Sequence, residues 1–346
     1  MTTQIAKISE TNLALPIDLV EAARDYARAA YAKRTRDAYA RAWASFVAWC
    51  ADIGEEALPA KPETVAVWLV ALAKGDANRK PLARSSIDQA LSAVILYHRD
   101  AGYQVDRKHS AIAREWKGIC NTKAQKEMVR KAKPLLANDL RDLIDGLDQQ
   151  TASGARDAAL LALGWAAALR RSELVSLDWQ KLGAGGGFVC LDERGIVVTL
   201  MASKASQDKA ETIVIPAEHM PKACKALERW ASIANLSAGE PVFRAVDQCQ
   251  FISTERLTDG SVARIVKARV KALVKQRGRS EEEANDLVDL ISGHSLRAGY
   301  ATSAAARDMP AYRIQSHTRH KSAQVVAGYI READKWTKSG LDGVGF

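Results

Sequence analysis

The sequence lacks the features of a secreted, zinc-binding or membrane-spanning protein. Its five cysteines are widely spaced and form no C-x-x-C pair: Cys50, Cys120, Cys190, Cys224 and Cys249. An odd set of distant cysteines argues against a zinc site or a disulfide framework and fits reduced thiols in a cytoplasm. Residues 1–16 contain no signal-peptide core, and the most apolar run, residues 158–169, is too short to cross a bilayer. We therefore expect a cytoplasmic protein without a membrane contact.

Other absences narrow the chemistry. No cluster of carboxylates suits a pair of metal ions, which disfavours a two-metal nuclease. The glycine-rich stretch 183–187 matches no phosphate-binding fingerprint and is interpreted as a plain connector. There is also no internal repeat and no low-complexity tract. The sequence therefore predicts neither a metal site nor a cofactor.

Length and composition indicate a folded, basic protein of two domains. The chain has 346 residues, of which 47% are hydrophobic and 26% charged. Its net charge of +9 suggests an anionic partner, usually a nucleic acid, although a merely basic soluble protein remains the alternative.

Residues 15–129 are predicted to form a helical domain. In residues 35–51, apolar positions recur on one helical face: Tyr39, Trp43, Phe46, Val47 and Cys50. Pro62 opens a second helix, and Ser85 with Asp88 resembles a capping box that opens a third. His98 lies on the apolar face of that helix and is interpreted as a core histidine. A fourth helix is expected over residues 110–129.

The remainder is predicted to be mixed. Asn138 is a candidate cap for a helix, and a buried helix follows over residues 156–168. Runs of β-branched residues at 188–191, 196–201 and 212–215 predict a small antiparallel sheet. A basic helix is expected over residues 258–275, followed by an exposed loop and a capped helix.

Residues 291–331 concentrate groups that suit a phosphate. Arg297 offers a planar fork of donors to a tetrahedral anion. His294, His317 and His320 can exchange protons near neutral pH. Tyr329 can serve as a nucleophile if it is activated, because its free pKa is near 10.

The order of these residues resembles the signature of the tyrosine recombinase (phage integrase) family. His294-Ser-Leu-Arg297 precedes His320, and Tyr329 follows nine positions later (329 − 320 = 9). Upstream, Arg170 and Glu173 fit the R-x-x-E box, and Lys204 fits the lysine of a β-hairpin. The match spans roughly residues 30–331, with the Cre-like branch as the nearest comparison.

The resemblance implies a mainly α fold with a small antiparallel β-sheet. The arrangement that the resemblance implies is a two-domain DNA clamp with a helical core-binding domain and a mixed α/β catalytic domain. It also implies a site-specific recombinase that cleaves and rejoins DNA through a 3′-phosphotyrosyl intermediate, without ATP or metal. Arg170 and Arg297 would clamp the phosphate, and Lys204 would protonate the leaving oxygen. His294 would be a general base or a phosphate donor. His320 would help to stabilise the charge on the phosphate, and Tyr329 would be the nucleophile. Glu173 would hold the basic residues in place.

The partner implied is double-stranded DNA with inverted-repeat half-sites, bound by a dimer at one site and a tetramer in synapsis, within the nucleoid. The boundaries expected are an arm (1–14), the helical domain (15–129), a basic linker (130–136), the catalytic domain (137–331) and a tail (332–346) that docks in trans. The predicted DNA contacts, each of which can alternatively be a solvated residue, are Arg34, Arg36, Arg84, Ser85, Ser86, Gln89, Lys123, Lys126, Arg130, Lys131, Arg264 and Lys267.

Several alternatives stay open. Arg171 rivals Arg170, and Lys209 rivals Lys204. Tyr312 is the competing tyrosine, although it lacks the downstream Ile-Arg and the histidine spacing, and Tyr300 is interpreted as packing on the helix after Arg297. Ala168 and Arg319 stand where the family has glycine, so the local turns can differ. A catalytically silent DNA-binding or architectural protein is the competing function, and a type IB topoisomerase is a more distant one.

Overall fold

The computed structural model describes residues 16–31, 33–76, 79–126, 132–201 and 210–335. The chain divides into two compact units, Met1–Val129 and Arg130–Phe346. None of the helices in the described ranges is long and apolar enough to cross a membrane.

The first unit is helical in its described part. The helices are α1 (Ile17–Ala29), α2 (Lys33–Asp52), α3 (Pro62–Lys74), α4 (Arg84–Asp100) and α5 (Ser110–Lys126). Helix α4 packs its apolar face, Ile87, Leu91 and Val94, into a core shared with Phe46 and Trp68.

His98 is a core histidine, as predicted. Its side chain is fully buried. Its Nε2 accepts the Ala60 N–H at 2.9 Å, and its Nδ1 lies 2.8 Å from the Val94 carbonyl. Burial lowers the pKa of His98, against the raising effect of the Val94 carbonyl. The imidazole therefore joins two backbone segments and is unavailable for chemistry.

Two local predictions in this unit are wrong. Helix α4 begins one residue before Ser85, with Ala83 at the N-cap and no side-chain cap, and Asp88 instead pairs with Arg107 at 2.6 Å. Val47 is 40% exposed. Phe46 and Cys50, four residues apart, already define the buried stripe, and Val47 lies about 100° around the helix from Phe46.

The described helices of the second unit are α6 (Ala137–Asp145), α7 (Ala152–Ala166), α8 (Arg171–Val175), α9 (Pro221–Ile233), α10 (Asp259–Gln276), α11 (Glu281–Leu290), α12 (Ser295–Ala305), α13 (Ala311–Thr318) and α14 (Ala323–Asp334). Helix α7 is buried along nearly its whole length and packs against both α9 and α12. The fold is therefore mainly α with a small sheet, as predicted.

The strands are β1 (Leu177–Trp179), β2 (Gly187–Asp192), β3 (Gly195–Leu200), β4 (Glu211–Pro216) and a separate pair, β5 (Arg244–Val246) and β6 (Ile252–Arg256). The three predicted strands, β2, β3 and β4, form an antiparallel sheet, as expected. A fourth strand, β1, was not predicted and lies parallel to β2, so the sheet of order β1-β2-β3-β4 is mixed. Strand β1 has three buried residues and thus no alternating pattern to detect.

The start of this unit also differs from expectation. Leu136, not Asn138, occupies the N-cap of α6, without a side-chain hydrogen bond. The Lys133 and Leu135 N–H groups donate to the carbonyls of Leu290 and Ser295 at 2.8 and 2.9 Å, and Leu135 is buried in the core. The last residues of the predicted linker therefore belong to this unit. The predicted cap of α11 is confirmed, since Ser280 and Glu283 form a capping box.

Candidate active site

Arg297 lies at the centre of the site. Helix α12 starts directly after His294, so Arg297 comes in its first turn, where its side chain is 1% exposed. Its Nη1 donates to the Ala168 carbonyl at 2.8 Å, and its Nε lies 3.4 Å from His320 Nε2. Its Nη2 is buried and has no hydrogen-bond partner among the described residues. Burial, followed by the charges of Arg170 and Arg319, lowers the pKa of Arg297 to about 10.

This arrangement is costly unless an anion is present. A buried donor without an acceptor forfeits about 1–3 kcal/mol, and more when it carries charge. A phosphate oxygen is the acceptor that a guanidinium fork fits best. Arg297 therefore has one buried NH2 group, Nη2, to offer an anion that enters this site.

The turn between α7 and α8 supplies the acceptor for Arg297. Ala168 has φ 47°, in the left-handed region that favours glycine, and it is fully buried. Alanine thus takes the backbone conformation in which glycine is common. The consequence is that the Ala168 carbonyl accepts from both Arg297 and Arg319.

Arg170 and Glu173 lie together at the start of α8. One Glu173 oxygen accepts the Arg170 N–H at 2.8 Å, and the other accepts the Arg170 guanidinium. Burial alone would raise the pKa of Glu173, but the Arg170 N–H and the guanidiniums of Arg319 and Arg170 lower it below its usual value. The side chain of the rival Arg171 instead packs across Gly293, where an added Cβ would collide with it.

Arg319 is a site residue that sequence reasoning missed. It follows α13 with φ 55°, and its side chain is 7% exposed. Its guanidinium donates to the carbonyls of Ala167, His317 and Ala168 and to Glu173, at 2.9–3.1 Å. A large side chain in a glycine position was the available signal, because such a residue must gain contacts to offset backbone strain.

His320 is held by a buried threonine. The Thr318 hydroxyl donates its proton to the Ile314 carbonyl at 2.6 Å, so the 2.7 Å contact with His320 Nδ1 requires an N–H on the histidine. Burial, followed by the charge of Arg297, lowers the pKa of His320 to about 4. The imidazole is therefore neutral at pH 7, with the Nε2 lone pair directed at Arg297.

His294 and Tyr329 meet at the mouth of this cluster. His294 Nε2 lies 3.2 Å from the Tyr329 hydroxyl, and the Tyr329 ring lies 5.7 Å from that of His320. Burial and then Arg297 lower the pKa of His294, whereas burial raises that of Tyr329 against the effect of Arg297. A protonated phenol thus faces a neutral imidazole that can accept its proton.

The rival tyrosines have other surroundings. Tyr312 is 66% exposed, and its hydroxyl accepts from Arg313. Tyr300 stacks on His317 with ring centroids 4.3 Å apart, as predicted for a packing residue, and its hydroxyl lies near the Met309 sulfur. His317 Nε2 lies 2.7 Å from the Ala166 carbonyl.

Lys204 and its rival Lys209 lie outside the described residues. Strands β3 and β4 flank them and pair Leu200 with Glu211 at the base of the hairpin. The Glu211 carboxylate is 3.5 Å from Arg319 Nε. The hairpin that contains both lysines therefore starts beside the cluster.

The predicted DNA contacts of the first unit are partly described. Arg84, Ser85, Ser86 and Gln89 are all exposed in the first turns of α4. Arg34 is exposed, whereas Arg36 and Lys123 are partly buried. Lys126 ends α5, and Arg130 and Lys131 fall outside the described residues, as do Trp336 and the rest of the tail.

The basic side chains of helix α10 are less available to a DNA ligand than the composition of the helix indicates. Arg264 is exposed and donates to Ser261 Oγ at 2.8 Å, and Lys267 is partly buried. Arg269 pairs with the buried Asp157 at 2.6 Å, and Lys271 and Lys275 both pair with Glu281. Three of these five basic residues, all in the second half of the helix, are therefore paired with carboxylates of the same unit.

Comparisons with known proteins identify the family of this chain. The phage integrase family model matches residues 133–335. The integrase/recombinase xerD homolog of Selenomonas ruminantium is 33% identical over 315 residues, 90% of this chain and 85% of that protein. Tyrosine recombinase XerC of Xylella fastidiosa (strain M23) is 25% identical over 268 residues, 78% of this chain and 76% of that protein.

Among solved structures, the Tn1549 transposon integrase in complex with circular intermediate DNA aligns over 82% of this chain and 84% of that chain, with 15% identity and a TM-score of 0.49. The family model covers more than half of the 346 residues, and the Selenomonas relative is one-third identical over most of them. The chain therefore belongs to the phage integrase family of tyrosine recombinases.

Proposed function

We propose that this protein is a site-specific DNA recombinase that cleaves and rejoins double-stranded DNA through a 3′-phosphotyrosyl intermediate. The observation that carries the proposal is the Tyr329 hydroxyl 3.2 Å from a neutral histidine, beside an arginine with an unpartnered buried donor. The Selenomonas relative is named an integrase/recombinase, and the Tn1549 integrase binds DNA in its solved complex.

In the first step, the Tyr329 oxygen attacks the scissile phosphorus while the Tyr329 proton passes to His294 Nε2. Negative charge builds on the non-bridging oxygens, and Arg297 Nη2 and Arg170 donate to them. An anion in the site also raises the affinity of His294 and His320 for protons, because it offsets the guanidinium charges that now depress their pKa values.

In the same step, the bond from phosphorus to the 5′ oxygen breaks. Lys204 is proposed to donate a proton to that oxygen, supported by the position of its hairpin base beside Arg319. The product is a tyrosyl ester of the 3′ phosphate plus a free 5′ hydroxyl. The ester conserves the bond energy, so attack by a different 5′ hydroxyl exchanges strands without ATP.

The assembly proposed is a dimer on inverted-repeat half-sites and a tetramer in synapsis, because strand exchange between two duplexes needs four nucleophiles. The exposed first turns of α4 would enter a groove, where Arg84 and Gln89 can read base edges. Recombination would take place in the nucleoid. Placement beside the Cre-like branch stays a prediction, and His320 counts against it, since Cre-like relatives have tryptophan there.

The test is covalent trapping on a genomic DNA library without added metal. Wild type should form a protein–DNA adduct that survives denaturation, and Tyr329→Phe should form none while still binding DNA. Sequencing the trapped DNA then provides the target site. Tight DNA binding without any adduct, even on nicked duplexes of the bound site, would indicate an architectural protein instead.

A further inference from the structure

The Arg319 guanidinium donates to four acceptors on different parts of the second unit. Its Nη1 donates to the carbonyls of Ala167 and His317, and its Nη2 donates to the Ala168 carbonyl and to Glu173 Oε2. Its Nε, buried without a hydrogen-bond partner among the described residues, faces the Glu211 carboxylate at 3.5 Å. One side chain thus joins the α7–α8 turn, the end of α13 and the base of the β3–β4 hairpin.

Two of these acceptors also hold the proposed phosphate-binding arginines. The Ala168 carbonyl receives Arg297 Nη1 at 2.8 Å and Arg319 Nη2 at 3.1 Å. Glu173 Oε2 receives the Arg170 N–H at 2.8 Å and Arg319 at 3.0 Å, while its other oxygen receives the Arg170 guanidinium. Displacing Arg319 would therefore remove one of the bonds that hold each acceptor, the Ala168 carbonyl and the Glu173 carboxylate, in place.

We infer that Arg319 is a positioning residue of the proposed reaction, which fixes the Ala168 carbonyl and the Glu173 carboxylate so that Arg297 and Arg170 are aimed at one phosphate. Arg319 itself does not touch the phosphate, since its Nη1 and Nη2 donate to protein acceptors and its Nε faces the Glu211 carboxylate. This inference rests on the proposed function.

Lysine cannot take this place. A single ammonium on a flexible stem lacks the planar fork that reaches four acceptors in fixed directions. Glycine would suit the left-handed backbone at this position, but it would remove every one of these contacts. Arg319→Lys and Arg319→Gly therefore test the same idea with opposite effects on backbone strain, so that one variant folds even if the other does not.

Arg256 offers a matched control outside the site. It donates to the carbonyls of Val175 and Leu177 at 2.8 and 3.1 Å and to Asp178 at 2.5 Å. It therefore makes the same kinds of contact as Arg319, namely backbone carbonyls plus one buried carboxylate. Arg256→Lys therefore shows how the loss of a comparable set of guanidinium contacts affects the fold alone.

The experiment compares two substrates that carry the site recovered by trapping. One has the ordinary scissile phosphodiester, and the other has a methylphosphonate there, in which a neutral methyl replaces one charged oxygen. A methylphosphonate needs less stabilisation by arginine because less charge develops on it. Single-turnover rates of Tyr329 adduct formation are measured for each variant on both substrates, and the ratio of the two cancels any difference in folded fraction.

Both Arg319 variants should be slowed about 10²-fold on the phosphodiester, as expected for misplaced charge-stabilising groups. On the methylphosphonate their loss should be at least ~10-fold smaller, and Arg297→Ala should show the same pattern. Arg256→Lys should change both rates equally. Equal losses on the two substrates for Arg319→Lys and Arg319→Gly, or rates equal to wild type, would overturn the inference. A wild type without any adduct on the phosphodiester overturns the proposed function and this inference with it.

Discussion

Two buried threonines should respond in opposite ways to the same substitution. Thr318 is fully buried, donates to the Ile314 carbonyl and accepts the His320 Nδ1–H. Thr302 is 6% exposed, and its hydroxyl has no hydrogen-bond partner among the described residues. Valine has the same shape as threonine but replaces the hydroxyl with a methyl group.

The expected magnitudes follow from those contacts. Thr318→Val leaves the His320 N–H without an acceptor, which costs about 1–3 kcal/mol, and it also removes the hydrogen bond to the Ile314 carbonyl. The added methyl group offsets about 0.8 kcal/mol of this total cost. A net destabilisation of about 2 kcal/mol corresponds to a fall of about 4–8 °C in Tm for a unit of this size. Thr302→Val removes an unpartnered hydroxyl and should raise the Tm by about 2–4 °C.

Activity should separate the two variants as well. Without Thr318, the imidazole of His320 can take the tautomer with N–H on Nε2, which would place two donors against each other at the Arg297 Nε contact of 3.4 Å. We expect adduct formation by Thr318→Val to fall roughly 10-fold or more, and Thr302→Val to match wild type. Thermal unfolding and single-turnover trapping are the assays. Shifts of equal sign in both variants would refute this reading of the hydrogen bonds.

Three further outcomes follow from the same geometry. Adduct formation should slow as the pH falls through the pKa of His294, which burial and then Arg297 hold below its usual value, because a protonated imidazole cannot accept the Tyr329 proton; a pH–rate profile without an acidic limb would contradict its role as base. The contribution of neutral His320 to the free energy of unfolding should be complete above pH 6.5 and should decrease as the pH falls towards 4. The reason is that His320 has a folded pKa of about 4, so the unfolded chain takes up this proton first. A Tm that is constant from pH 7 to 4.5 would contradict this prediction. Arg170→Lys should reduce adduct formation about 10²-fold while Arg171→Lys has little effect, since only Arg170 is held by Glu173; the reverse order in the trapping assay would show that the wrong arginine was chosen.

The sequence predicts what local periodicity and composition can express. The apolar face of α4 identified His98 as a core residue, because side chains three or four residues apart share a helical face. The capped helix after the 277–279 loop was predicted because its cap consists of neighbouring residues, Ser280 and Glu283.

Other features depend on residues far apart in the chain. Strand β1 is three residues long and is defined by its parallel partner β2 rather than by any pattern of its own. The role of Arg319 depends on acceptors about 150 positions away, at Ala167, Ala168 and Glu173. An ordered motif indicated which residues converge, but only the fold shows what orients them.

Identification of the residue that bears the DNA decides whether Tyr329 is the nucleophile. After trapping, nuclease digestion and trypsin treatment, the three tyrosines of residues 298–331 fall on separate peptides, because trypsin cuts after the basic residues between them. Mass spectrometry should find the nucleotide remnant on SAQVVAGYIR, residues 322–331, which contains Tyr329 as its sole tyrosine. A remnant on DMPAYR (308–313) or AGYATSAAAR (298–307) would assign the attack to Tyr312 or Tyr300 and rule out Tyr329 as the nucleophile.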